Sequence, residues 1–292
     1  MRMRSLGPGA PPVGAIGFGG MHLSIDGRPT EDVGVRVIHA ALDAGITFID
    51  TADVYCLSHL DIGHNERLIA QAIRTWQGPR DQIIVGTKGG MERFDGRWTV
   101  NGRPEHLFRA CDRSLKALGV ERIDLYQLHT PDARVPFDET IGALAELAKI
   151  GKIRWIGLSN VSVEEIVQAR RITPIVSIQN RLSPFFREAM EEEVVDYCTR
   201  EALGFLAYSP TGGGRLNLKL PTHPVVTQIA ARYKASPHAV VLAWVLAQGP
   251  TVIPIPSART VAHAADSARA ADLELAEEDL HAIRRAEFSI AR

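Results

Sequence analysis

The feature that most constrains this chain is an alternation repeated eight times, in which a short β-branched or apolar run is followed by a longer segment with apolar residues at helical spacing. Parallel strands buried on both faces read as continuous apolar runs, so this alternation predicts a parallel sheet covered by helices. Strands are expected at residues 13–17, 47–50, 83–87, 123–128, 154–158, 175–178, 204–208 and 252–255. Helices are expected at 33–44, 65–76, 104–118, 138–149, 163–170, 190–201, 223–248 and 261–270, with one extra outer helix at 277–286. Gly45, Gly119 and Gly151 stand just past three of these helices, where a left-handed residue ends a helix, and Ser162-Val163-Glu164-Glu165 reads as a capping box.

No Pro-, Gly- or Ser-rich linker divides the sequence, so residues 1–292 are expected to form one domain. An open doubly wound sheet would want a Gly-x-Gly-x-x-Gly turn after the first strand. Gly17-Phe18-Gly19-Gly20-Met21 lacks that spacing, which favours a closed α/β fold, the (β/α)8 TIM barrel. Acidic and basic residues nearly cancel, leaving a formal charge of -1, so neither a nucleic-acid backbone nor an anionic membrane is an expected partner. There is no run of 18 apolar residues to span a bilayer, and Met1 to Ser5 lead into Gly7-Pro8-Gly9 rather than a signal-peptide core. Three scattered cysteines, Cys56, Cys111 and Cys198, argue against a disulfide framework and place the protein in the cytoplasm.

In a barrel, chemistry concentrates where strands end. Here the ends read Asp50-Thr51-Ala52-Asp53-Val54-Tyr55, Thr87-Lys88, Gln127-Leu128-His129, Ser159-Asn160, Gln179-Asn180 and Tyr208-Ser209-Pro210. A carboxylate, a phenol, an amine and an imidazole thus gather on one rim, a set suited to proton transfer coupled to a charged intermediate. Taken singly, each has a plainer explanation: a rim ion pair for Asp50 and Lys88, an amphipathic rim residue for Tyr55, a core or cap histidine for His129.

Those residues, with Asn65-Glu66, the run Gly151-Lys152-Ile153-Arg154-Trp155-Ile156-Gly157-Leu158-Ser159-Asn160, and Ile253-Pro254, resemble the aldo-keto reductase family in order and over nearly the whole chain. The resemblance implies that a nicotinamide cofactor reduces a small-molecule carbonyl, with Tyr55 as general acid, Lys88 and Asp50 tuning it, and His129 orienting the carbonyl. The chemistry agrees, because an oxygen gaining negative charge needs a proton and donors, and a phenol of pKa about 10 yields its proton more readily beside a cation.

The resemblance also implies that Ser159, Asn160 and Gln179 bond the nicotinamide carboxamide and that Tyr208 stacks on the ring. Met21, Asp50, Ser209, Pro210, Thr211 and Gly212 complete that side of the cofactor set. In Thr211-Gly212-Gly213-Gly214 the missing side chains let backbone N–H groups approach a pyrophosphate. Ser257 and Arg259 stand where this family binds the adenosine 2′-phosphate, which makes NADPH the expected cofactor, and Asp266 and Ser267 stand at the adenine edge. Departures from the family pattern are Ala258-Arg259-Thr260, Asp266-Ser267 in place of Glu-Asn, and Cys56 in place of Gly.

Cys56, His59, Asp61 and His64 match no zinc spacing, so no metal is expected, and their loop is read as a wall of the substrate pocket. Met21, Trp98 and the pair Phe185-Phe186 are further candidate walls. Two other functions fit parts of the pattern: a barrel aldolase using Lys88 as a Schiff-base nucleophile, and a nicotinamide-binding regulatory subunit with slow turnover.

Overall fold

The computed structural model describes residues 1–291. Eight parallel strands pair successively in chain order: β1 (Phe18–Gly19), β2 (Phe48–Asp50), β3 (Ile84–Gly89), β4 (Ile123–Leu128), β5 (Ile153–Ser159), β6 (Ser177–Arg181), β7 (Gly204–Tyr208) and β8 (Val252–Pro254). The circle closes where the Gly17 N–H donates to the Pro254 carbonyl and the Gly19 N–H to the Pro256 carbonyl, both at 2.9 Å, giving a (β/α)8 barrel.

The two-residue period of a strand explains the two cores. Phe48, Leu125, Trp155 and Leu206 pack together inside the barrel, while their chain neighbours Ile49, Tyr126, Ile156 and Phe205 face the helices. Those helices are α1 (Glu31–Asp43), α2 (His64–Thr75), α3 (Pro104–Leu118), α4 (Phe137–Lys149), α5 (Val163–Arg170), α6 (Glu188–Glu191), α7 (Val194–Arg200), α8 (Gly213–Leu216), α9 (Pro224–Tyr233), α10 (Pro237–Leu246), α11 (Val261–Arg269) and α12 (Glu277–Arg285). The capping box at Ser162 forms as expected. Among the described residues, no helix is long and apolar enough to cross a membrane.

Three expectations are corrected, and one hairpin appears that was not expected. Val13 belongs not to the first barrel strand but to an antiparallel hairpin, Met3–Ser5 with Pro12–Gly14, and β1 starts at Phe18. This hairpin plugs the barrel: Leu6 and Val13 are fully buried with the interior cluster, and a Cβ on Gly204, at the start of β7, would lie 2.3 Å from the Leu6 carbonyl oxygen. A buried apolar run reads the same whether its partner lies in the barrel or across its floor.

The segment 223–248 splits into α9 and α10 at Lys234, which adopts φ 50°, and α10 restarts with Ser236 capping the Ala239 N–H and Pro237 in its first turn. The segment 190–201 belongs to α6 and α7, which are separated by left-handed Glu193. An unexpected hairpin, Met91–Phe94 with Arg97–Val100, turns at Asp95-Gly96, both with positive φ as a tight primed turn requires.

Gly204→Ala is expected to destabilise the protein by about 1–3 kcal/mol through overpacking against Leu6. The check is a lower urea midpoint at unchanged slope; an unaltered midpoint would mean that the hairpin is not a tight plug.

Candidate active site

The strand ends build the site. Lys88, near the end of β3, is completely buried, and an ammonium there is tolerable only if its donors are satisfied. Its Nζ donates to Asp50 Oδ2 at 2.6 Å, to the Thr51 carbonyl at 3.0 Å and to Tyr55 Oη at 3.1 Å. Asp50 Oδ1 in turn accepts from Gln127 Nε2 at 3.1 Å and Gln179 Nε2 at 2.7 Å. Burial pulls the Lys88 amine down, but Asp50 and Tyr55 outweigh it and hold the ammonium above its ordinary range.

For Tyr55 the balance falls the other way. Burial raises the phenol more than Lys88 lowers it, so its net position is above the ordinary tyrosine range, contrary to the sequence expectation. The phenol is therefore a firmly protonated donor whose conjugate base has a cation at hand. Burial, followed by the charge of Lys88, holds His129 well below the usual imidazole range, so it is neutral. Its ring meets the Tyr55 ring edge-on, centroids 5.8 Å apart.

Helix α2 clamps this group from behind. Asn65 accepts from the Thr51 hydroxyl at 2.6 Å and donates to the Gly20 carbonyl at 2.8 Å and Ser24 Oγ at 2.7 Å. A Cβ on Gly20 would lie 2.5 Å from Asn65 Oδ1, so this approach needs glycine. Glu66 accepts from the Thr87 hydroxyl at 2.6 Å, beside Lys88. Next to Glu66 is a second buried carboxyl, Asp53, whose Oδ2 meets the half-exposed Arg113 at 3.3 Å. Asp53 Oδ1, Glu66 Oε2, Ser114 Oγ and Tyr126 Oη are buried without a partner. Burial, then Glu66, pushes Asp53 up to about 8 against the pull of Arg113.

A groove of ≈ 1000 Å³ runs from this rim along the barrel mouth. Tyr55, His129, Asp50 and Met21 line one end; Ser159, Asn160, Gln179 and Tyr208 follow. Next come Ser209, Pro210 and Thr211, and the far end holds Ser257, Arg259, Asp266 and Ser267. Asn160 takes a left-handed φ of 58°, donates to the His129 carbonyl at 3.0 Å and accepts from the Tyr208 hydroxyl at 2.8 Å. Gln179 uses Nε2 for both of its bonds, to Asp50 and Gln127, so its Oε1 stays available. The Arg259 guanidinium donates to the His22 and Asp26 carbonyls, and Asp266 accepts from Ser236 at 2.5 Å.

Several expected residues lie elsewhere. Lys88 sits behind the wall, and Gly212 turns toward Phe185, leaving Gly213 and Gly214 on the groove. Phe185 packs edge-on against Phe288 and Phe186 lies under Arg181, so neither is a wall. The Cys56 to His64 loop is not a wall either. Cys56 Sγ donates to the Val54 and Ser58 carbonyls, Asp61 pairs with Arg28, His64 bonds Ser24, and His59 stacks on Phe94.

That loop braces the Met91–Phe94 hairpin, which forms the wall through Met91 and Trp98, and Arg93 is buried between Trp98 and the Cys56 carbonyl. Sequence reading missed Met91, Thr130, His22, His238 and His263. For Met91 the Asp95-Gly96 turn was a signal; the histidines reach the groove from separate elements and left none.

The Asp53 carboxyl has a folded-state pKa of about 8, above its unfolded value near ~3.9. The stability it contributes is present below the unfolded value and lost as pH rises through the folded one. Asp53→Asn, with no proton to lose, is therefore expected to gain stability relative to the parent between about pH 5 and pH 8. Parallel urea-midpoint profiles for the two proteins would contradict this.

The Aldo/keto reductase family profile matches residues 15–287. Probable aldo-keto reductase 1 of Glycine max is 35% identical, covering 93% of this chain and 84% of its own. Aldo-keto reductase str7 of Strobilurus tenacellus is 32% identical over 94% of this chain and 88% of its own. Among solved structures, the thermostable aldo-keto reductase Tm1743 superposes with a TM-score of 0.82 at 27% identity, covering 97% of this chain and 99% of its own. An aldo/keto reductase from Klebsiella pneumoniae in complex with NADP and acetate gives 0.80 at 28% identity, covering 98% and 95%.

Proposed function

The chain belongs to the aldo/keto reductase family, and from that premise we propose that it reduces an aldehyde or ketone to the alcohol with NADPH, in one barrel unit that carries α12 as a C-terminal addition. The observation that carries this reading is the Tyr55 hydroxyl, 3.1 Å from a buried, carboxylate-paired ammonium and on the wall of a long groove.

The groove fits the cofactor. Gln179 Oε1, Ser159 and Asn160 offer the donors and acceptors that a carboxamide needs, the Tyr208 ring offers a face, and Gly213 and Gly214 leave backbone open to phosphate oxygens. Arg259 is suited to the 2′-phosphate and supports NADPH. When bound, the dihydronicotinamide supplies hydride to the carbonyl carbon.

Tyr55 then gives its proton to the carbonyl oxygen, and the phenolate left behind faces Lys88. At 3.1 Å and an effective dielectric near 20, that attraction is worth roughly 5 kcal/mol, enough to offset much of the burial penalty. Asp50 keeps the amine charged, and neutral His129 donates an N–H to the same oxygen. Asp50 is the one charged side chain at the carbonyl end of the groove, where Met21, Met91 and Trp98 supply apolar surface, and this favours uncharged carbonyls with apolar substituents.

Two further properties go with this reading. The satisfied donors and raised pKa of Lys88 make it a poor Schiff-base nucleophile, which speaks against an aldolase. Three free, buried cysteines with thiols pushed up to about 12 support a cytoplasmic setting.

Purified protein is expected to consume NADPH with a panel of aldehydes and ketones; no consumption across the panel would overturn the proposal. Tyr55→Phe is expected to lower turnover by about 100-fold or more while cofactor affinity stays within about twofold, since only the proton donor is lost. A variant as active as the parent would remove Tyr55 as the acid.

A further inference from the structure

The far end of the groove has an unusual charge make-up. Among the described residues its one permanent cation is Arg259; no lysine lines it, and three imidazoles do: His22, His238 and His263. His238 is committed to the structure, bonding the Asn217 carbonyl at 3.1 Å. The other two rings have no hydrogen-bond or ion-pair partner among the described residues.

His22 lies on a short 3-10 turn, half-buried, beside the glycine run: a Cβ on Gly214 would lie 3.9 Å from its Nε2. His263 is exposed in the first turn of α11, four residues after Arg259.

We propose that His22 and His263 are pH-set anion ligands of this groove. His22 serves the pyrophosphate beside Gly213 and Gly214, His263 joins Arg259 on the ribose phosphate, and each takes up a proton as the dinucleotide binds. This rests on reading the groove as a dinucleotide seat.

Neither imidazole forms an ion pair with its charged surroundings among the described residues. Burial, followed by the facing charge of Arg259, holds the His22 imidazole below its ordinary range. Asp26 and Arg28 follow His22 in its loop, and Arg28 is paired with Asp61. On α1, Glu31 faces His64 and Asp32 pairs with Arg36. Near His263 stand Arg269 on its own helix, His238 on α10, and Asp266, which is held by Ser236.

A free imidazole with a pKa of about 6.5 is mostly neutral above pH 7, and a charge-assisted bond to phosphate favours its protonated form. Binding and protonation are then linked, and affinity falls by up to about tenfold per pH unit for each proton taken up. Since a phosphate monoester has its own second pKa near 6, the informative window is about pH 6.5 to 8.

The test titrates NADPH and NADH separately onto the full chain across that window, with calorimetry in buffers of different ionisation heat to count protons. Affinity for NADPH is expected to fall by about tenfold or more toward pH 8, and that for NADH less steeply. His22→Gln should flatten both profiles and His263→Gln only that of NADPH. His263→Lys, a fixed cation, should keep NADPH binding tight at the alkaline end. A pH-independent affinity for NADPH, or slopes that survive both glutamine variants, would overturn the inference while leaving the reductase reading intact. Failure of both dinucleotides to bind at any pH would instead overturn the reading of the groove.

Discussion

An ammonium with no exposure to water must be surrounded by acceptors, and the rest of the site follows from meeting that demand at Lys88. Leaving a buried charge unpaired is worth several kcal/mol of instability, so Asp50, the Thr51 carbonyl and the Tyr55 oxygen are held to positions around Nζ. Each is held in turn: Asp50 by Gln127 and Gln179, Thr51 by Asn65, and the Tyr55 ring by its edge contacts with His129 and Trp98. Burial, reinforced by the same ammonium, keeps His129 neutral, and the ammonium offsets part of the upward shift that burial gives the Tyr55 phenol.

Much of this was legible in the residues. Barrel strands with both faces buried are apolar throughout, and the polar residue that ends each run must sit on the rim, which placed Asp50, Lys88, His129, Ser159 and Gln179 without coordinates. What stayed hidden depends on three-dimensional partnership. Val13 has the composition of a barrel strand and pairs across the floor instead. The Cys56 to His64 loop carries reactive side chains that spend themselves on local partners, while the pocket wall comes from a hairpin about 35 residues further on. The net direction of the Tyr55 shift was equally out of reach, because it is a contest between burial and a cation that only depth decides.

The groove has two electrostatic characters. At the Tyr55 end a buried ion pair, a phenol and a neutral imidazole face apolar surface; at the other end a guanidinium and imidazoles without ion-pair partners line the groove. The elements that supply the two ends are tied through Asn65, which bonds Thr51 on the Tyr55 side and the Gly20 carbonyl and Ser24 next to the His22 turn. A change at Asn65 therefore disturbs both ends.

The closure between β8 and β1 has a one-sided character that follows from its prolines. Pro254 and Pro256 offer carbonyls to Gly17 and Gly19, but a residue's N–H points to the same side as its carbonyl, and proline has none to return. This seam is held by bonds running in a single direction, unlike the reciprocal ladders elsewhere around the circumference. With fewer bonds per residue, this is where local opening is expected to begin. Gly19 and Ser257 of that same seam border the groove, so a molecule lying across them acts as an external strap on the barrel.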